Sequence, residues 1–384
     1  MYELTINQLS HAEFLSQYWQ KRPLLIKGGF PDFEDPIEPE ELAGLAMEES
    51  IESRLITNHK NDWQSYHGPF EDFSKLTEQH STLLVQAVDH WHPIAAQLLE
   101  PFRFIPNWRI DDLMVSYSTP HGGVGPHLDQ YDVFIIQGQG KRHWRVGLPD
   151  VNLKQFAQNK SLLQVEQFDA TIDAVLEPGD ILYIPPGCPH EGYALENALN
   201  YSVGFRAPDQ KDFLSGFADH LIDSEKGLTR YSDPTLSIRD SKGELTAQEV
   251  VQIQALMQDA LNDPEQLKHW LGAMLSQPKH DMDLAPLDPP LSTQDLATYV
   301  SANEVIERAG GVRAMYQVLP ASIVISVNGE NYSLAAKHLE SVKLLTDLPH
   351  FSGSEIEDSL NCIEFAQMLT KLFNEGTYFL QEDD

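Results

Sequence analysis

The chain has 384 residues, 41% of them hydrophobic, and 58 Asp and Glu stand against 26 Lys and Arg for a formal charge of -32. That apolar content excludes a disordered chain and suffices for roughly two or three packed domains. A field of this sign disfavours direct nucleic-acid or membrane binding and favours a basic protein as partner.

The first residues, "MYELTINQLSHAEFLSQYWQKRP", lack the basic-then-apolar order of a secretory signal, and no apolar run is long enough to span a bilayer. A cytoplasmic location is therefore expected. Residues 5–19 read as a helix that Asn7 or Ser10 could cap, with Leu9, Phe14, Leu15 and Trp19 on its apolar side. Helical patterns recur at about 38–50 and 82–99. "DHWHP" places His90 and His92 two apart in the second of these, where they face different ways and read as structural.

From Phe102 the texture changes to short β-branched and aromatic runs bounded by Gly, Pro, Asn and Asp. "QGQGK" between two such runs signals a hairpin turn. The stretch 102–208 is an antiparallel β region, sandwich or barrel. Helical periodicity returns at 210–224 and 246–276, with Pro264 starting a further helix. The proline-rich stretch 278–292 reads as a linker. The remainder combines helices with "SIVISVNGENYSL", a hairpin turning at Asn-Gly, which suggests a winged-helix-like domain. From residue 300 onward there are five Lys and Arg against thirteen Asp and Glu, which argues against nucleic acid as its ligand. Cys188 and Cys362 imply neither a disulfide framework nor a zinc site.

Two stretches of the β region carry chemistry. "GPHLDQYDVF" sets His127 and Asp129 two apart on a strand, hence on one face. "EPGDILYIPPGCPH" is a strand followed by a rigid turn, fixed by Pro185, Pro186 and Pro189 and freed at Gly187, that presents His190. Two histidines and one carboxylate make the facial triad of non-haem Fe(II) oxygenases, with coordination positions left open; zinc or manganese would also accept these ligands. Alternation puts Arg142 and Trp144 on one strand face, with His143 and Arg145 on the other. Asp112, Met114 and Ser116 likewise share a face, and Tyr131 shares parity with His127 and Asp129.

With these motifs in order, residues 102–208 resemble the JmjC-type cupin barrel of the 2-oxoglutarate oxygenases. Gly179–His190 matches the second cupin motif without its closing Asn. His-x-Asp stands in place of the His-x-His of four-ligand cupins. "WRIDDLMVSYSTPHGGVGPHLDQYDVFIIQGQGKRHWRVG" and "LEPGDILYIPPGCPHEGYALENALNYSVGFRAP" are similar to the bacterial ribosomal oxygenases, a likeness that covers essentially the whole chain. It implies an α+β protein: a JmjC/cupin double-stranded β-helix barrel with N-terminal helices over 1–208, a helical dimerisation region over 209–290, and a winged-helix-like domain over 291–384. It implies Fe(II) on His127, Asp129 and His190, with 2-oxoglutarate and O2 as cosubstrates and Arg142 and Ser116 on the distal carboxylate. Asp112, Met114 and Tyr131 would bind substrate, an arginine of large-subunit ribosomal protein L-sixteen that is hydroxylated at its β-carbon. A homodimer is expected. The barrel motifs alone leave room for a hydroxylase of another protein residue, such as histidine, or for a non-catalytic binding module.

Overall fold

The structure, a computed structural model, describes residues 2–159, 162–301 and 304–381. These divide into two compact units that the chain enters alternately: residues up to 207 with 278–312 and 349 onward, and residues 208–277 with 313–348.

The first unit begins with α1 (His11–Gln17), β1 (Leu24–Ile26) and α2 (Pro39–Leu45). Ser10 caps α1 in a reciprocal box with Glu13. Asn7 and Gln8 have φ of 45° and 65°, so the helix starts later than the apolar pattern alone suggests. β2 (Ser53–Thr57), β3 (Gln64–His67) and β4 (Ser81–Val85) follow, then a turn of 3-10 helix (Val88–His90) and the short α3 (Pro93–Ala96). The reading of 82–99 as helix thus fails in its first part. β4 is buried along its whole length, and a short apolar run buried on both faces has no period to distinguish strand from helix.

The remaining strands of this region are β5 (Ile110–Ser118), β6 (Val133–Gln137), β7 (Arg142–Gly147), β8 (Gln155–Asn159), β9 (Leu162–Val165), β10 (Ala170–Leu176), β11 (Ile181–Ile184), β12 (His190–Ala194) and β13 (Ala198–Phe205). Eight strands form one sheet in the order β1-β11-β6-β13-β5-β4-β2-β3, and three form a second in the order β10-β7-β12. β6 and β7 lie in different sheets. Residues 138–141 are therefore a corner between sheets and not the tight hairpin that "QGQGK" suggested.

The large sheet is amphipathic in an unusual sense. One face of β5, β6, β11 and β13 presents Leu113, Val115, Phe134, Ile136, Tyr183, Leu199, Tyr201 and Val203 to a core shared with Phe14 of α1 and Leu42 of α2. The opposite face carries Val133, Ile135, Leu182 and Ile184, which pack with Trp144, Val146 and Leu176 of the small sheet. The two sheets face each other as the halves of a double-stranded β-helix barrel, and strand alternation decides which residues look inward.

In the second unit, α4 (Gln210–Asp223), α5 (Ala247–Leu261) and α6 (Pro264–Ser276) come first, α6 starting at Pro264 as the sequence indicates. The chain returns to the first unit for α7 (Thr293–Ser301) and β14 (Val305–Arg308). It goes back to the second for β15 (Ala314–Val318), β16 (Ser322–Val327), β17 (Glu330–Ala335) and α8 (Leu339–Asp347). α6 packs on all three of these strands, and Asn328 and Gly329, at φ 47° and 90°, turn β16 into β17. β18 (His350–Ser352), α9 (Glu357–Leu360), α10 (Ile363–Asn374) and β19 (Tyr378–Leu380) complete the first unit, with β14 between β18 and β19.

Asp132, immediately before β6, ties the N-terminal helices to the barrel. Its carboxylate accepts from the Tyr183 hydroxyl at 2.6 Å and from Gln20 Nε2 at 2.9 Å, with Arg109 Nη2 at 3.3 Å, and its side chain is fully buried. Asp132→Ala would strand these three groups, so we expect a loss of about 3–5 kcal/mol, read as a lower urea midpoint, with Asp132→Asn losing less.

Candidate functional site

The site grows from one pair of residues. The segment before β6 lies along the free edge of β12 through isolated bridges at Gly123–Tyr193 and His127–His190. The His127 N–H donates to the His190 carbonyl at 2.9 Å, and the His190 N–H donates back at 2.8 Å. Residues that exchange both backbone bonds sit directly opposite, with side chains on the same face. The imidazole centroids are accordingly 4.2 Å apart.

Each ring is then oriented by its own backbone. His127 Nδ1 lies 2.9 Å from the Gly125 carbonyl, and His190 Nδ1 lies 3.0 Å from the Cys188 carbonyl. A carbonyl only accepts, so both Nδ1 atoms carry the proton and both Nε2 lone pairs are left for a metal. The Gly187 N–H donates to the Asp129 carbonyl at 2.7 Å, fixing the backbone of the third member, and Gly187 turns at φ 74°. Asp129 Oδ2 stands 3.6 Å from His190 Nε2. One ligand atom each from His127, Asp129 and His190 lies within 4.8 Å of the others, and this is the only such group among the described residues. Burial, with His127 adding to it, holds His190 well below the usual histidine range, keeping it neutral as a ligand requires. The donor set and the free lone pairs fit a divalent transition metal.

These residues open on a cavity of about 260 Å³ between the two sheets. Arg142 lies within it, only 3% exposed, with Nη1 2.9 Å from Asn200 Oδ1 and 3.4 Å from Ser116 Oγ. Nε has no hydrogen-bond partner, and among the described residues no carboxylate pairs with the guanidinium. Burial alone pulls its pKa down to about 10. A buried cation held by neutral groups is a receptor for an anion, and a guanidinium fork suits a carboxylate. As alternation requires, Arg142 and Trp144 line the cavity while His143 and Arg145 pair outside it with Asp173.

Asp112, Met114 and Ser116 also line the cavity from β5, and Tyr131 borders it while remaining 43% exposed. Asp112 is buried and accepts the Ala87 N–H at 3.0 Å; burial, then Asp89 and Asp111, raise it to about 7. His90 and His92 are structural: His90 Nδ1 meets the Asp281 carbonyl at 2.8 Å, and His92 caps α3.

The sequence reading missed Asn200, Glu52, Lys279 and His280, all of which line the cavity. Asn200 had a signal, a polar residue among the apolar "ALNYSVGF". Lys279 and His280 have none, since the proline-rich stretch 278–292 reads as a linker.

Residues 97–213 match the model of the JmjC domain, and residues 255–379 match that of the ROXA-like winged helix. The chain is 47% identical over 380 residues, 99% of both proteins, to the ribosomal protein uL16 3-hydroxylase of Escherichia coli strain K12. It is 39% identical to a probable ribosomal oxygenase of Haemophilus influenzae, over 60% of this chain and 58% of the other. Among solved structures, the E. coli ribosomal oxygenase YcfD in complex with cobalt and 2-oxoglutarate superposes with a TM-score of 0.90 at 46% identity, covering 100% of each chain.

If Arg142 receives a carboxylate, a small dicarboxylate should stabilise the folded chain. With free 2-oxoglutarate at about 100 times its Kd we expect a gain of about 2.7 kcal/mol, seen as a rise in Tm. Arg142→Met should abolish that rise.

Proposed function

Because this chain belongs to the JmjC-domain ribosomal oxygenases, we propose that it hydroxylates the β-carbon of an arginine in uL16, the L-sixteen protein of the large subunit, using Fe(II), 2-oxoglutarate and O2. The observation that carries the reading is a cavity joining a His-Asp-His ligand group to a buried arginine with no counter-anion among the described residues.

In this reading His127, Asp129 and His190 would hold Fe(II), a three-ligand set that would leave coordination positions open to small ligands. Arg142, with Ser116 beside it, takes the distal carboxylate of 2-oxoglutarate and so points the other end of that molecule at the metal. Asn200 holds Arg142 Nη1 in place without neutralising it. Asp112 receives the guanidinium of the substrate arginine, Met114 and Tyr131 flank its aliphatic stem, and together they set one C–H bond toward the ligand group. Bound iron, with its cosubstrates, supplies the oxidising power that inserts one oxygen atom into an unactivated C–H bond. The walls of the two sheets keep that chemistry from water.

The same reading assigns 1–208 to the oxygenase barrel, 209–290 to a helical region that pairs two copies, and 291–384 to the winged-helix-like domain, in a cytoplasmic homodimer. Exposed Leu214 and Ile222 on α4, and Val250, Val251 and Met257 on α5, support the pairing. Among the described residues no helix is long and apolar enough to cross a membrane. A basic ribosomal protein suits a formal charge of -32.

The test is to incubate the full chain with Fe(II), 2-oxoglutarate, oxygen and uL16 and to follow an arginine-containing peptide by mass spectrometry. A gain of one oxygen atom is expected, lost in His190→Ala and in Asp129→Ala. Succinate formed with no oxidised uL16 would move the substrate to another basic protein.

A further inference from the structure

Lys279, His280 and Asp281 lie in a stretch without helix or strand, yet Lys279 and His280 form a wall of the cavity's acidic end. Lys279 Nζ is 3.0 Å from Asp111 Oδ2, and Arg206 Nε is 3.3 Å from Asp111 Oδ1. His280 stands between two carboxylates, with Nε2 3.8 Å from Asp112 Oδ2 and Nδ1 3.8 Å from Glu52 Oε2. Its side chain is 14% exposed, and its Nε2 is buried without a hydrogen-bond partner. The segment is held where it is: His90 Nδ1 meets the Asp281 carbonyl at 2.8 Å, and the His90 ring packs edge-on to that of His280.

The turn beneath is gripped by the site strand. Ala87 N–H donates to Asp112 Oδ2 at 3.0 Å, and Leu113 N–H donates to Asp89 Oδ1 at 2.8 Å. Asp111 is thus met by two cations, whereas Asp112 has one backbone donor and a histidine just beyond hydrogen-bond reach. Asp112 is buried near Asp89 and Asp111, which favours its protonated form. A protonated carboxyl is a poor seat for a guanidinium, and a carboxylate held by a single backbone donor is a less precise one than a carboxylate held from two sides.

We propose that residues 279–281 form a basic strap that selects arginine substrates, with His280 the positioning residue that aims the Asp112 carboxylate and Lys279 the cation that engages the neighbouring Asp111, leaving Asp112 to the substrate. The proposal rests on the reading that Asp112 receives the substrate guanidinium. Closing of His280 onto Asp112 Oδ2 when substrate binds fixes one carboxylate oxygen from the side, so that the two oxygens meet the guanidinium fork in its plane. A lysine ammonium, a point charge with rotatable donors, gains much less from that alignment.

The experiment compares a uL16 peptide containing the arginine with the same peptide carrying lysine there, on the full chain loaded with Fe(II) and 2-oxoglutarate. Affinity for both peptides is also measured by calorimetry on the iron-free chain with 2-oxoglutarate. For His280→Ala we expect the arginine peptide's KM and Kd to rise about tenfold, as for loss of one charge-assisted hydrogen bond, with kcat falling far less. The preference for arginine over lysine should drop by a similar factor. His280→Gln, whose amide can still donate to Asp112, should recover most of it, and Lys279→Met should lose part. A misfolded fraction lowers apparent activity toward both peptides alike but leaves KM and Kd unmoved, so an unchanged arginine-to-lysine ratio of Kd in both His280→Ala and Lys279→Met overturns the proposal. A wild-type chain that binds the arginine peptide without oxidising it sinks the reaction and leaves the strap to be judged by affinity. A wild-type chain that does neither removes both.

Discussion

Two backbone hydrogen bonds, between His127 and His190, organise the site. Residues far apart in the chain become direct cross-strand neighbours, and their rings are brought to one face with no side-chain contact needed to hold them there. Each ring then spends its Nδ1 proton on a carbonyl two residues back, and that carbonyl is itself fixed by the strand or turn. Gly187 adds the third ligand's backbone to the same frame. The ligand geometry is therefore a property of main-chain pairing, and it is rigid for the reason that sheets are rigid.

The large sheet supports this by dividing its two faces between opposing tasks. Its outer face buries large apolar side chains against the N-terminal helices, each contributing about 1.5–3 kcal/mol relative to exposure. Its inner face carries Asp112, Ser116, Asn200 and, across the cavity, Arg142, groups whose desolvation costs stability until a ligand meets them. The strongly apolar face lets the fold tolerate the weakly satisfied one. Asp132 belongs to both tasks, since it lies three residues from Asp129 and anchors Gln20, Arg109 and Tyr183 at the rear.

Much of this was legible in the sequence because it depends on local period and turn chemistry. The parity of His127 with Asp129, of Arg142 with Trp144, and of Asp112 with Met114 and Ser116 follows from strand alternation alone, and the cavity gathers all of these residues. The Pro and Gly residues before His190 announced a rigid turn. What failed was non-local. β4 reads like a helix because burial on both faces erases its period, and β1, at three residues, is too short to show one. "QGQG" has the composition of a hairpin turn, but which strands pair on either side of it is settled elsewhere in the chain. Lys279 and His280 sit among prolines with no periodicity at all, and nothing local distinguishes a linker in solvent from a strap laid over a cavity.

The alternation of the chain between its two units has a consequence for the order in which the protein comes into being. His127, Asp129, His190 and Arg142 all precede residue 207, so that end of the cavity can assemble early during synthesis. The wall at Lys279 and His280 belongs to the same unit but follows an excursion of 70 residues, 208–277, into the other. At translation rates of about 5–20 residues per second, that end of the cavity waits roughly 4–14 s for its last side chains. The strand β19 that borders β14 arrives only with residues 378–380. A nascent chain therefore completes the His127, Asp129 and His190 end of the cavity before the end walled by Lys279 and His280.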